Sequence, residues 1–113
     1  MGKKITITNE RYKKLNKRGS LEDFLERVSK EVDFSFNELF RLVPRIIMNE
    51  KQTKRVKYFI YHYNFQMSIF EMHYEFNVPY SRIEAMLEKE EQFVIDELKK
   101  IKEKENDEVL KNA

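Results

Sequence analysis

Two histidines, His62 and His73, are the first residues to weigh for chemistry, because the chain has no cysteine and they are its only imidazoles. Zinc sites draw on cysteine, histidine and carboxylate, and a helical histidine pair binds metal at i, i+4. Here the two fall on different predicted helices. Glu71 and Glu75 flank His73 in sequence, yet no third ligand is defined, so neither metal nor cofactor is expected. The chain shows no glycine-rich phosphate loop, nucleophile elbow or serine–histidine–acid order. Its carboxylates lie on charged helices, where pairing with lysine at i, i+4 is their ordinary role. The residues predict a binding protein and not an enzyme.

Two other residue classes suit recognition. Residues 1–20 hold seven basic side chains against one acid, and 41–60 hold six against one, while 21–40 and 61–113 are net acidic. Basic blocks of this kind either face an anionic partner or solvate helix faces. Eight of the fifteen aromatics lie between residues 58 and 76. Beside Lys54, Arg55 and Lys57 such rings suit the stacking of single-stranded bases. At helical spacing Phe59, Phe70 and Phe76 suit the core. Tyr58, Tyr61 and Tyr74 point along another arc of the wheel and suit a protein interface, self-association included.

The elements that must position these residues are helical. Two glycines and two prolines in 113 residues are too few for tight-turned sheets, and 41% hydrophobic with 37% charged residues describes one core under an ionic surface. Lys4–Thr8 alternates apolar and β-branched residues, which predicts a short extended arm. Asn9–Arg18 reads as a short basic helix that Gly19 ends in a left-handed C-cap. Capping boxes at Ser20/Asp23, Ser35/Glu38 and Ser68/Glu71 open three further helices. Pro44 must bend or divide the one that starts at Ser35. Another helix runs from Thr53 and ends around Asn64 to Met67. Asn77 supplies a turn with φ > 0, and Pro79 suits the first turn of a last helix from about Tyr80 past Ile101. Its stripe of Ile83, Leu87, Val94, Leu98 and Ile101 is broken at 88–91. No internal repeat is expected.

The fold expected is all-α: a small single-domain helical bundle with a short N-terminal extended arm and a long C-terminal helix. Residues 1–19 form the basic arm and short helix, 20–104 the helical domain, and 105–113 a frayed tail. No run of about eighteen apolar residues occurs and the start lacks a signal-like core, so a cytoplasmic protein with no membrane partner is expected.

Residues 68–87, SIFEMHYEFNVPYSRIEAML, resemble a helix-turn-helix, with Met72, Asn77, Val78, Ile83 and Met86 at its apolar and turn positions. The stretch is similar to region 4 of bacterial sigma factors and phage regulators built like it, with Lys54–Asn64 as the preceding helix. It also resembles a C-terminal helical segment of mobile-element metallopeptidases, whose turn reads like Phe76-Asn77-Val78-Pro79. The His-Glu-x-x-His helix of those enzymes is missing, so peptidase activity is not carried over. The resemblance implies a small regulator of phage or mobile-element type that binds DNA as a homodimer. Tyr80, Ser81, Arg82, Glu84 and Ala85 would face the duplex, and Lys54, Arg55 and Lys57 would meet phosphates, as would an arm of Lys3, Lys4, Arg11, Lys13 and Lys14. His73 stands where the motif prefers alanine or glycine, which predicts a more open turn. Glu84 and Glu88 on the exposed face oppose a polyanion. The alternative is a protein-binding inhibitor or adaptor, in which the helix pair is scaffold and the acidic surface with Tyr58, Tyr61 and Tyr74 grips a partner protein.

Overall fold

A computed structural model of the chain describes residues 8–111, with side chains through residue 107. Six helices follow one another: α1 (Asn9–Asn16), α2 (Leu21–Ser29), α3 (Phe36–Asn49), α4 (Lys54–Tyr63), α5 (Ile69–Phe76) and α6 (Tyr80–Lys111). There is no strand among the described residues; an isolated bridge joins Arg18 to Ser68. The expected arm over residues 4–7, with Lys3 and Lys4, lies outside the described residues.

Hydroxyl side chains start five of the six helices. Thr8, Ser20, Ser35, Thr53 and Ser68 each accept from the backbone N–H three residues on, which satisfies one orphan donor of the first turn. Ser35/Glu38 and Ser68/Glu71 close the full reciprocal box. At Ser20 the box is half made: Ser20 accepts from the Asp23 amide, and Asp23, one methylene shorter than glutamate, does not return the bond. The hydrogen bonds from Ser35 hold the Glu38 carboxyl below its ordinary pKa.

The core is one continuous set of side chains from all six helices, from Leu15 through Phe24, Leu39, Phe59 and Met72 to Ile83 and Leu98. Phe24, Phe59 and Tyr63 form a triangle of rings 4.7–5.3 Å apart at its centre. Helix α6 is the spine, packed against α3, α4 and α5. It is unbroken through residues 88–91 and continues to Lys111, beyond the expected fraying point, as helical backbone. Helix α3 is not divided at Pro44: the proline sits on its solvent face, where the lost N–H leaves only the Phe40 carbonyl without its helical donor.

Gly19 has a role other than the one expected. Helix α1 ends at Asn16 with an extended Lys17, and Gly19 does not take positive φ. Any Cβ at Gly19 would collide with the carbonyl group of His62, so glycine allows the α1–α2 link to lie directly on the end of α4.

Candidate functional site

The α5–α6 pair is joined by three residues. Asn77 takes φ 54° and ψ 47°, a left-handed conformation that asparagine tolerates better than most residues. The Pro79 carbonyl then accepts from the Arg82 and Ile83 amides, which starts α6. Met72 on α5 and Ile83 on α6 are completely buried in the shared core on which the two helices pack. A side-chain contact spans the turn. The Nδ1–H of His73 donates to the Val78 carbonyl at 2.6 Å, and the imidazole lies 4.1 Å from the Tyr80 ring. A small residue at this position would leave that carbonyl and ring face without a partner.

The same device closes the preceding turn. His62 Nδ1–H donates to the Met67 carbonyl at 2.6 Å, and Gln66 takes φ 58°. His62-Tyr63-Asn64-Phe65-Gln66-Met67 and His73-Tyr74-Glu75-Phe76-Asn77-Val78 are therefore two copies of one turn, with His, Tyr and Phe identical at an eleven-residue offset. The likeness is confined to these six-residue turns and does not extend to a repeated unit of the fold. The aligned His-Tyr-x-Phe segments carry the signal in the sequence. Both histidines serve as staples of helix ends. Burial pushes the His62 pKa down, against the opposing effect of the Met67 carbonyl, so the imidazole is held neutral.

The duplex-facing residues expected on α6 separate. Ser81, Arg82 and Ala85 are exposed, and Lys89 continues their line one turn on. Tyr80 is half-buried, with its ring 5.8 Å from Phe70, and is part of the turn's packing. Glu84 is not a free acid on this face. Arg11 of α1 grips both its oxygens, Lys14 Nζ lies 3.7 Å away, and the arginine hydrogen bond lowers the carboxyl's pKa. Helix α1 packs on α5 and brings these cations to Glu84, a pairing across more than seventy residues that local spacing cannot reveal. Glu88 remains exposed.

On α4, Lys54 and Lys57 are exposed, whereas Arg55 is withdrawn from the proposed phosphate set. Its Nε donates to Glu90 at 2.8 Å, its Nη2 is 3.6 Å from Glu50, and its guanidinium stands over the Phe93 ring. Glu90 is 0% exposed. One oxygen each of Glu50 and Glu90 is buried without a donor, and burial followed by the neighbouring Glu90 raises the Glu50 pKa, which favours the protonated form of Glu50. Sequence reading missed this cluster, although Glu90 stands at helical spacing between Leu87 and Val94 on the apolar stripe.

The tyrosines also divide. Tyr58 is buried and stacks on Phe76 at 5.6 Å, so it is corrected to a core residue; the crossing of α5 over α4 covers it. Tyr61 is half-buried between Phe65 and Phe76, and Tyr74 is 72% exposed. Phe59 is core as expected, and Phe70 and Phe76 are half-buried at its edge.

A cleft of about 600 Å³ opens beside this region, between the α1–α2 link, the end of α4 and α6. Charges of both signs line it and pair across it: Arg27 donates to Glu91 at 2.8 Å and to the Tyr63 hydroxyl at 3.4 Å. Burial keeps that hydroxyl protonated at any ordinary pH. No described helix is long and apolar enough to cross a membrane. Comparison with protein-family models, with curated proteins and with solved structures found no match.

Proposed function

We propose that the protein binds duplex DNA through the first turns of α6, as a small regulator. The observation that carries this reading is the exposed line Ser81, Arg82, Ala85 and Lys89, presented by a stapled turn beside a Glu84 already neutralised by Arg11 and Lys14. A helix entering the major groove needs such an outward face, small enough for close approach and with donors for base edges and phosphates. Lys54 and Lys57 at the exposed start of α4 add phosphate contacts on the preceding helix.

A salt series with a random-sequence duplex tests the reading. Wild type binds at about 50 mM salt with affinity falling steeply as salt rises. Lys54→Ala/Lys57→Ala and Arg82→Ala each weaken binding, and each flattens the slope by about one unit for every phosphate left without its cation. A bound stoichiometry of two chains per duplex supports a dimeric regulator. Absence of duplex binding by wild type at about 50 mM salt overturns the proposal.

A further inference from the structure

Helix α3 carries two apolar lines. Leu39, Val43 and Ile47 are buried in the core, at 7% exposure or less. Phe36, Phe40, Pro44 and Met48 form a second line at i, i+4, i+8 and i+12 that the fold leaves uncovered. Phe40 is 54% exposed and Met48 79%, and the Phe36 and Phe40 rings stack at 6.3 Å. Four apolar side chains in register along about 18 Å of helix are a patch, unlike the scattered single residues of an ordinary surface. Arg41 and Arg45, one residue after Phe40 and Pro44, run along the outer border of the line and are exposed. Neither makes an ion pair among the described residues, although Arg41 lies close enough to Glu38 to help lower its pKa.

We propose that this ridge docks an acidic amphipathic helix of a partner protein. An amphipathic helix presents anchors at i, i+4, i+7 and i+11, about 16 Å long, which matches the length of the ridge. Acidic residues beside those anchors meet Arg41 and Arg45, which gives orientation and a faster encounter. Met48, unbranched and polarizable, adapts to the partner's contour, and the Phe40 carbonyl, deprived of its helical donor by Pro44, is open to a partner's donor. Charge selects among occupants. In a two-fold contact between copies of α3, the arginine borders would face each other, and like charges disfavour that pairing. A bilayer surface is also a poor match, because the line is one side chain wide and the fold holds the remainder of α3 against its own core.

The probe is a capped, fluorescent designed helical peptide with leucines at i, i+4, i+7 and i+11 and glutamates on both borders, compared with its lysine counterpart. Wild type binds the glutamate peptide, more tightly at low salt, and binds the lysine peptide at least about tenfold more weakly. Phe40→Ser/Met48→Ser loses about tenfold or more in affinity, and Arg41→Glu/Arg45→Glu reverses the preference towards the lysine peptide. All four side chains are exposed, so circular dichroism melts match wild type and the loss is read as binding. The proposal is overturned if the glutamate peptide fails to bind, binds no better than the lysine peptide, or binds Phe40→Ser/Met48→Ser as well as wild type. It is equally overturned by binding to phosphatidylserine vesicles through these residues without peptide binding, or by a wild-type dimer in sedimentation that Phe40→Ser/Met48→Ser abolishes.

Discussion

The turns on either side of α5 share a histidine staple, a left-handed fifth residue and identical His, Tyr and Phe positions, yet they have opposite fates in the fold. In the first, Tyr63 is 8% exposed inside the aromatic triangle and Phe65 is 65% exposed. In the second, Tyr74 is 72% exposed and Phe76 is covered by Tyr58 and Tyr61. The local sequence makes the turn, because a histidine near a helix end can reach the carbonyl five residues on whenever the residue between bends back at positive φ. Which ring is buried depends on what packs against the end of the helix that enters the turn. The α1–α2 link lies on the first turn through Gly19, and α2 brings Phe24 and Arg27 to Tyr63. At the second turn Tyr74 packs on Phe70 and His73 of its own helix and stays exposed.

The largest effect expected tests whether the second turn belongs to the core despite its exposed tyrosine. Ile83→Asp places a carboxylate at a fully buried position in the core and costs at least about 4 kcal/mol, a large part of a small domain's stability. Chemical denaturation with an unchanged midpoint would detach α5 from α6. Next is the asymmetry of the two tyrosines. Tyr63→Ala costs about 3 kcal/mol through the cavity it leaves, while Tyr74→Ala stays within about 0.5 kcal/mol. Equal losses in urea melts would mean that the two rings contribute alike to the fold.

The α3–α4 connection sharpens the contrast: Gln52 donates to the Ile47 and Glu50 carbonyls where the other two turns use an imidazole, and the Glu50 side chain ties the end of α3 to α6 beside Glu90. The Glu50 carboxyl, buried beside Glu90, has its pKa pushed up from 4.5 to about 8. The folded state holds a proton there that the unfolded chain releases. Its contribution is therefore fully present at acid pH and is lost as pH rises between about 5 and 8. Stability measured across that window falls for wild type, and the fall is reduced in Glu50→Gln, which keeps the hydrogen bonding without the charge. An identical slope in the variant would remove the proton from the cluster. The smallest effect lies within the two histidine turns. Glutamine tolerates the left-handed region less well than asparagine, so Gln66→Gly stabilises by roughly 0.5–1 kcal/mol and Asn77→Gly by a few tenths. The reverse order in paired thermal melts would place the strain in the second turn.

Helix starts, the period of each helix and the Asn77 turn were legible in the sequence, because each depends on residues within four positions of one another. A serine or threonine caps its own first turn, and Ile83 and Leu87 share a face of α6 whatever that face meets. The aligned histidine turns are equally present in the letters, though a histidine at a site preferring alanine makes sense only once its carbonyl partner is in view. The site's charge was not legible. Arg11 reaches Glu84 and Arg55 reaches Glu90 only because α1 folds over α5 and α4 lies along α6, and a side chain's charge towards solvent depends on that partner. Tertiary packing alone thus decided that Glu84 is neutralised, that Arg55 and Tyr58 face inward, and that the Phe36–Met48 line of α3 stays uncovered, since burial is a property of two surfaces and the sequence writes one at a time.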